Sequence, residues 1–406
     1  GMRSISVSPK PLLENQFAKG MICMIDATSE LFQFLKKLVS FPSTDGSEAG
    51  ISDFLAENAR AMGMDTVVQQ EALPGLKNVI AVKTFGRGGK TVVLNSHMDV
   101  VPPADGWATD PYDLVIRGTR AYGRGSTDAK GPLACLTIAV KRIIEQPEGV
   151  NGTIVYTAVV DEESHSTGAR ELVKHPLVRG DYCIVGEPTL SRVAVSHNGS
   201  LRPVIVIEGL SAHASNPELG ISAIRIAAYV SQLVDGIAAE ISNIVHPTTG
   251  KPSIAITMIS GGVQENVLPD RCELVIDRRM VPGEREKDLR DRFDLMCREA
   301  QEKFPGSRVY VDRYLVTTGP AAETDAASEL VRTAFAAAEA ATGERQTPFG
   351  LTCNTDMNHF VRAGIPTVII GPGTITVAHK PNEYVELSQL ENTCAVDEAV
   401  IRALLK

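Results

Sequence analysis

The sequence predicts an α/β fold: a mixed, largely parallel sheet with helices on both faces, interrupted by a smaller α+β domain. Three observations support this fold class. The chain has 406 residues, which is more than one hydrophobic core usually fills. In the first half, apolar runs rich in β-branched residues alternate with helical segments, as is typical of buried parallel strands. This pattern changes near residue 195 and returns near residue 316.

The first segment begins with two predicted helices and continues with four predicted strands. Apolar residues at helical spacing predict the helices in TSELFQFLKKLVSFPS and GISDFLAENARAMG. The strands are predicted in NVIAVKT, TVVLNS, TIVYTAVV and YCIVG, with a helix, PLACLTIAVKRIIEQ, between the second and the third. The segment GGKT at 88–91 leads into a strand, so it predicts a hairpin turn and not a phosphate-binding loop.

A different pattern covers residues 195–315, where the predicted elements follow the order ββαββαβ and indicate an α+β unit. Residues 316–406 return to strands and helices of the first kind. We therefore expect residues 1–194 and 316–406 to form one domain, into which residues 195–315 are inserted. Residues 1–24 are poorly patterned, and we expect a tail there.

Charge and cysteine content argue against several classes of function. Lys and Arg number 40 and Asp and Glu 49, and this net charge of −9 disfavours nucleic acid or an anionic membrane as the main partner. No apolar stretch approaches the roughly 20 residues of a membrane span. The seven cysteines are scattered and indicate neither a disulfide framework nor a thiolate metal site. A reducing compartment fits best, and we expect a cytoplasmic protein.

Polar residues cluster where the predicted strands end. His97 and Asp99 follow one strand, Asp161, Glu162 and Glu163 follow another, and Glu187 follows a third. In open α/β sheets, ligands bind outside the carboxyl ends of the strands. A single strand end with acidic residues would usually be a solvated surface, whereas polar residues at three strand ends predict a site. Asp128, in a glycine-bounded turn before a helix, and His379, beyond the late strand, are further candidates.

Imidazole and carboxylate groups without thiolate suit zinc in a catalytic site, with cobalt or manganese as alternatives. The five candidate ligands exceed what one ion needs: His97, Asp128, Glu163, Glu187 and His379. If one carboxylate bridges two ions, each ion has three protein ligands and an open position. Asp99 would accept the proton on the other ring nitrogen of His97 and fix its orientation. The plain alternative is that His97 and Asp99 hydrogen-bond each other and cap the strand.

Seven motifs resemble, in their order, those of the zinc-dependent aminoacylase and carboxypeptidase family: HMDVVP, GRGSTDAKG, DEES, GEPT, GLSAHASNP, DRRMVPGE and AHKPNE. That family includes acetylornithine deacetylase, succinyl-diaminopimelate desuccinylase and glutamate carboxypeptidase. The resemblance extends from about residue 27 to the end of the chain. It implies a phosphorylase/hydrolase-like catalytic domain, a ferredoxin-like inserted domain that serves as lid and dimerisation surface, and a metal-dependent hydrolase of C–N bonds in linear amides.

The resemblance also implies a role for each site residue. Asp128 would bridge two Zn²⁺ ions, His97 and Glu187 would complete one ion, and Glu163 and His379 would complete the other. Glu162 would be the general base. For an isolated Glu-Glu pair, a solvated surface acid would be the better interpretation.

Substrate contacts are implied mainly in the inserted domain. The resemblance indicates that Arg279 binds a substrate carboxylate, and strand alternation places it on the more polar face. An ion pair with Glu273 or Asp277 is the alternative. His213 would stabilise the developing oxyanion, reaching across a homodimer interface in the inserted domain. Asn266 and backbone amides around Gly350 would lie near the substrate, and His359 is expected to be structural.

The sequence thus predicts a deacylase that acts on a small N-acyl amino acid or short peptide-like substrate. A metallo-dipeptidase or carboxypeptidase of the same family is the alternative enzyme, and Glu187 in GEPT modestly favours the deacylase. A binding or regulatory protein that has kept the fold without catalysis is the alternative from another class.

Overall fold

The computed structural model describes residues 26–44 and 46–406. The predicted tail at residues 1–24 lies outside the described residues. The first segment of the chain contains the following elements: α1 (Glu30–Val39), α2 (Ala49–Ala61), β1 (Thr66–Leu73), β2 (Leu76–Phe85), β3 (Lys90–His97), β4 (Val115–Arg117), β5 (Arg120–Tyr122), α3 (Lys130–Glu145), β6 (Gly152–Val159), α4 (Thr167–Leu172) and β7 (Tyr182–Val185). The predicted helices and strands of this segment are therefore present.

The middle and last segments continue the alternation of strands and helices. The middle segment contains β8 (Ser196–His197), β9 (Gly199–Glu208), β10 (Ala212–His213), α5 (Ala223–Ile241), β11 (Ser253–Gly261), β12 (Val267–Leu268), β13 (Arg271–Met280), α6 (Glu286–Lys303) and β14 (Arg308–Leu315). The last segment contains β15 (Ala322–Glu323), α7 (Glu329–Thr342), β16 (Gly350–Leu351), α8 (Met357–Arg362), β17 (Thr367–Ile369), β18 (Tyr384–Glu386) and α9 (Leu387–Leu404).

The central sheet has six strands in the order β1-β2-β6-β3-β7-β17. The four strands β6, β3, β7 and β17 are parallel, whereas β1 and β2 are antiparallel to their neighbours. The predicted hairpin at GGKT is wrong, because β6 lies between β2 and β3. Gly89 has a φ of +79°, and a side chain there would collide with the backbone of Asn151. The glycine therefore allows the connection to cross closely over the start of β6.

Both faces of this sheet are buried, as the continuous apolar strands predict. On β3, Val92 and Leu94 belong to the core shared with α1, α2, α3, α7 and α9. The intervening Val93 belongs to the core on the opposite face, together with residues of α4 and α8. The predicted mixed sheet with helices on both faces is confirmed.

The inserted domain has its own sheet and core. Its four strands, in the order β11-β13-β9-β14, are all antiparallel. Helices α5 and α6 pack on one face of this sheet and form a separate hydrophobic cluster with it. The sheet uses the order βαββαβ, one strand fewer than predicted, because β10 and β12 pair with each other in a small separate ribbon. This arrangement is the ferredoxin-like one expected for the insertion.

The two domains are joined near both ends of the insertion. Strand β8 pairs with β15 and β16 of the last segment, so residues 196 and 197 lie in a small sheet of the first domain. The boundaries at 194/195 and 315/316 stay a prediction.

Two further sequence expectations concern membrane and redox context. Among the helices of residues 26–44 and 46–406, none combines the length and apolarity needed to cross a bilayer. Six cysteines in the same part of the chain are free thiols.

Candidate metal centre

Three adjacent parallel strands bring the predicted acids and imidazole to one edge of the central sheet. His97 is the last residue of β3 and pairs in register with Val159 at the end of β6. Glu162 and Glu163 follow β6, and Glu187 follows β7. Because these strands are neighbours and parallel, their carboxyl ends meet at this edge.

Asp128 lies between two imidazole groups. Its Oδ1 is 3.2 Å from Nε2 of His97, and its Oδ2 is 3.2 Å from Nε2 of His379. Asp128 lies two residues before the start of α3, and His379 lies in the loop between β17 and β18. Each carboxylate oxygen therefore faces a different histidine, which is the geometry that a bridging carboxylate requires.

The remaining predicted ligands lie on either side of this bridge. Glu187 Oε1 is 3.7 Å from Nε2 of His97, and Glu163 Oε2 is 3.0 Å from Nε2 of His379. Possible ligand atoms of His97, Asp128 and Glu163 all lie within 4.8 Å of one another. Those of His97, Glu162 and Glu187 do so as well. The structure thus brings together all five predicted ligands and Glu162, which we call the candidate metal centre.

Asp99 contacts Nδ1 of His97 through both its backbone carbonyl and its carboxylate. Nδ1 of His97 is 3.0 Å from the backbone carbonyl oxygen of Asp99 and 3.4 Å from its Oδ1. The other carboxylate oxygen, Oδ2, accepts a hydrogen bond of 2.9 Å from the backbone N–H of Glu163. The predicted contact of Asp99 with His97 is therefore present, although the backbone carbonyl oxygen is closer to Nδ1 than the carboxylate oxygen is.

Burial opposes negative charge in this cluster. It raises the pKa of Glu162 and of Glu187 well above the usual range, and that of Glu163 to about 7. Hydrogen bonds to Asp128 and Glu163 raise the pKa of His379 to about 10. Burial also acts on Asp128, but its hydrogen bonds to His379 and His97 outweigh it and hold its pKa low.

These residues fit divalent cations. Four acids and two imidazoles converge, with Glu187 and Asp128 each 5% exposed and His97 1% exposed. Charged groups at such depth need a compensating charge of opposite sign. Oxygen and imidazole nitrogen donors without thiolate suit zinc, cobalt or manganese.

Glu383 supports the bridge and was missed by the sequence reasoning. This buried side chain accepts hydrogen bonds from the backbone N–H groups of Thr127 and Asp128, at 2.9 and 3.1 Å. Its other oxygen accepts a hydrogen bond of 2.6 Å from the buried Arg124. Glu383 is the last residue of the motif AHKPNE, but nothing in that motif indicates that it reaches across to Asp128.

A buried polar network behind the site was also missed. Ser166 donates a hydrogen bond of 2.6 Å to Asp356 Oδ1, and Asn95 donates one of 3.1 Å to Oδ2. His359 Nε2 lies 2.9 Å from the Ser166 hydroxyl. Because Ser166 gives its one proton to Asp356, His359 must donate to Ser166. His359 is thus a structural residue in this network.

His213 and Asn266 lie away from the candidate metal centre, on the ribbon formed by β10 and β12. Both are exposed. His213 Nδ1 is 2.7 Å from the Ser215 hydroxyl, and the carbonyl of Asn266 accepts a hydrogen bond from the N–H of Ala214. The structure therefore places them side by side but not with the predicted ligands.

Arg279 and Gly350 are engaged with protein groups. Arg279 Nε donates to Asp277 Oδ1 at 2.8 Å, which is the ion pair considered as its alternative role, and Nη1 is 3.4 Å from Asn354 Oδ1. The N–H of Gly350 donates to the carbonyl of Thr248 at 3.0 Å, so this amide is not free for a substrate. A side chain at Gly350 would collide with Ser196 and Thr249, which explains the glycine.

Comparison with known proteins gives one family. The family model described as "Peptidase family M20/M25/M40" matches residues 93–403. An acetylornithine deacetylase of Vibrio vulnificus is 31% identical over 375 residues, which cover 89% of this chain and 93% of that one.

Two solved structures have the same fold. A tripeptidase from Staphylococcus aureus superposes with a TM-score of 0.76 at 24% identity, covering 94% of this chain and 99% of that one. A Bacillus subtilis protein described as a dinuclear metal-binding peptidase of the M20 family gives a TM-score of 0.69 at 15% identity, with coverage of 92% and 97%.

Proposed function

Because this chain belongs to peptidase family M20/M25/M40 and is a hydrolase of amide bonds, we propose that it removes the acyl group from a small N-acyl amino acid with the help of two zinc ions. The observation that carries the proposal is the position of Asp128, whose two oxygens face His97 and His379 separately. A carboxylate so placed is suited to bridge two cations. The relative of Vibrio vulnificus, named acetylornithine deacetylase, supports an N-acyl amino acid as the substrate class.

The metal ligands in this proposal are those predicted from the sequence. His97 and Glu187 would hold one zinc, Glu163 and His379 the other, and Asp128 both. Cobalt or manganese would fit the same donors. When bound, the cations polarise the scissile carbonyl and lower the pKa of the attacking water.

Glu162 is the proposed general base. It lies with His97 and Glu187 at the candidate metal centre and is only 9% exposed. Burial raises the pKa of its carboxyl group, which makes its carboxylate a stronger base for taking a proton from water and passing it to the departing amine. Asp99 holds His97 in position through Nδ1 and so fixes which nitrogen faces the centre.

Substrate contacts would come from the inserted domain and the loops next to it. Arg279 has donors beyond its bond to Asp277, and its guanidinium can bind a carboxylate with two parallel hydrogen bonds. Asn266 and the amides near Gly350 would complete the pocket. Because the Gly350 N–H is already bonded to Thr248, any contact there would come from a neighbouring amide or require that bond to open.

The remaining step of the proposed reaction, stabilisation of the oxyanion, would use a second copy of the chain. Strand β11 is an open edge of the inserted sheet, and it carries exposed Met258 and Ile259, at 65% and 62%. An exposed apolar sheet edge favours pairing with another strand. We propose a homodimer through this edge, in which His213 reaches the partner's site and stabilises the oxyanion.

The dimer is tested by mass measurement in solution. Wild type is expected to be a dimer, and Ile259→Lys should shift it towards monomer because a charge is then buried in the interface. Leu295→Lys, at an exposed apolar position on α6 (49%), is the control and should stay dimeric. A monomeric wild type contradicts the proposal.

A substrate panel tests the reaction. Zinc-loaded enzyme is offered acetyl, succinyl and carbamoyl amino acids beside free dipeptides. We expect at least one N-acyl amino acid to be preferred over all dipeptides, by about tenfold or more in kcat/KM. A preference for dipeptides would favour the dipeptidase alternative, and no hydrolysis of any member would favour a non-catalytic role.

A further inference from the structure

A second cavity lies between the two domains, apart from the candidate metal centre. Its volume is about 560 Å³, and its walls are helices α4, α6 and α8 together with residues 316–320, the hinge segment that follows β14. We call it the hinge cavity. The residues that line it do not include any of the predicted metal ligands. This volume is typical of a site for a small molecule.

The hinge cavity is lined by an excess of positive charge. Four cationic side chains face it, Arg170, Lys174, Arg290 and Arg362, against a single acid, Glu286. Two of the four are neutralised locally, since Lys174 pairs with Glu171 and Arg290 pairs with Glu286.

The other two cations are not neutralised by a carboxylate. Within residues 26–44 and 46–406, Arg170 donates to the backbone carbonyls of His165 and Thr317, at 2.9 and 3.2 Å, and Arg362 makes no hydrogen bond or ion pair. The hinge cavity thus has two positive charges that no carboxylate of the described residues offsets.

His359 lines the same cavity as the two arginines. This side chain is 7% exposed. Burial, followed by the charges of Arg170 and Arg362, lowers the pKa of His359 to about 3. Both arginines therefore act on one imidazole in the cavity wall, and an anion bound in the cavity would be attracted by both positive charges.

We propose that the hinge cavity binds a small metabolite carrying two or more anionic oxygen groups, carboxylate or phosphate, held by Arg170 and Arg362. Guanidinium groups bind both kinds of oxyanion through paired, charge-assisted hydrogen bonds. The ligand would contact the catalytic domain through these arginines and the inserted domain through Arg290, which stacks on Tyr314 at 3.7 Å. It would thus bridge the two domains at their hinge.

A bound anion would also contact the network behind the candidate metal centre. His359 donates to Ser166, Ser166 to Asp356, and Asp356 accepts from Asn95, two residues before His97 on β3. The inference does not depend on the proposed reaction, because binding can be measured without turnover.

Calorimetric titration of the zinc-loaded protein at low ionic strength tests the site, with inorganic phosphate and propane-1,2,3-tricarboxylate as separate probes. We expect one-to-one binding of at least one probe, and the preferred probe identifies the anion class. Arg362→Glu should weaken it by about tenfold or more, since it removes a charge-assisted contact and adds repulsion. Because the Arg362 side chain makes no hydrogen bond among the described residues, the variant should fold, and Arg362→Gln provides a milder second test.

Arg60→Glu is the matched control, with the same charge change at an exposed position on α2. It should bind like wild type, within about twofold. The inference is overturned if neither probe binds at millimolar concentration. It is equally overturned if Arg362→Glu and Arg362→Gln bind no more weakly than Arg60→Glu, because the anion would then be at the zinc ions or on the general surface.

Discussion

The candidate metal centre and the ribbon of β10 and β12 both contain residues predicted to act on one substrate, yet they differ in exposure and in how many of these residues lie together. At the metal centre, side chains from three strand ends and two loops already lie close to one another, and all but Glu163 and His379 are buried. On the ribbon, His213 and Asn266 are exposed, and the contact that His213 makes is with its neighbour Ser215. One half of the site is assembled in the single chain, and the other half is not.

The difference indicates what each half requires. Parallel strands place His97, Glu163 and Glu187 at one sheet edge, and the loops of Asp128 and His379 already reach this edge in the single chain. The ribbon residues His213 and Asn266 are exposed, so in the proposed function they would meet a substrate through domain closure or a second copy. Variants of the metal centre should therefore act within one chain, whereas variants of the ribbon should act between chains.

The largest expected effect is that of Glu162→Gln. Removing the proposed base should lower kcat by about 10²–10⁴-fold, because proton transfer is lost, while both metal ions stay bound. Elemental analysis and steady-state kinetics together measure this. Glu163→Gln, at the next position, is the matched variant and should lose metal as well as activity. A fully active Glu162→Gln enzyme would refute the assigned base.

His213→Ala should lower kcat by about 10²–10³-fold, the effect of removing one oxyanion donor, without loss of metal. Mixing it with Glu162→Gln tests where the histidine acts. In a mixed dimer, the site that keeps Glu162 would receive His213 from the other chain, so activity should return. Mixed dimers as inactive as the two parents would show that His213 acts within its own chain.

Glu383→Gln sharpens the account of the metal centre itself. The substitution weakens the hydrogen bonds that Glu383 accepts from the Asp128 N–H and from Arg124. Metal affinity should therefore fall by about 10–100-fold, as is usual when a residue that orients a ligand is changed. Competition with a chelator measures the affinity. Glu386→Gln, three residues later at a partly exposed ion pair with Arg120, is the control and should bind metal like wild type.

Asp397 is a buried acid outside the candidate metal centre, and we expect it to reduce stability. This carboxyl group on α9 is fully buried, and neither oxygen has a hydrogen-bond partner among the residues that the structure describes. Asp397→Leu should raise the free energy of unfolding by about 1–3 kcal/mol, because an unsatisfied polar group is removed from the core. Denaturant unfolding measures the change, with the exposed Asp105→Leu as a control that should alter stability little.

The same residue predicts a pH dependence. Burial raises the pKa of Asp397, so the folded protein keeps this proton to a higher pH than the unfolded chain does. Its contribution to stability is therefore fully present below the unfolded pKa of about 3.9 and is lost as pH rises towards the folded pKa. Asp397→Leu should lack this component of the pH profile. An equal slope in the variant and the wild type would contradict the assignment.

The sequence predicted the half of the site that strand ends determine. The acids after β6 and β7 and the imidazole after β3 could be placed together because parallel strands share one edge. Asp128 and His379, which lie in loops, were candidate ligands from the sequence, and the motif resemblance gave each its role. Glu383, Asp356 and Ser166 were missed, because their partners are distant in the chain and short elements such as α4 and α8 leave little periodicity to detect.

The fold was predicted to a similar extent. Apolar runs identified the parallel strands and the inserted domain, but strand order does not follow from local pattern. The predicted hairpin at GGKT failed for this reason, since β6 enters between β2 and β3 from a later part of the chain. The ribbon of two-residue strands was likewise too short to separate from the larger sheet of the inserted domain.

The central claim is that two cations share Asp128. A crystal structure recorded at the zinc absorption edge tests it most directly. The account predicts two anomalous peaks about 3.5–4 Å apart, one beside His97 and Glu187 and the other beside Glu163 and His379, with an oxygen of Asp128 next to each. A single peak, or peaks remote from Asp128 in protein purified without chelator, would contradict it.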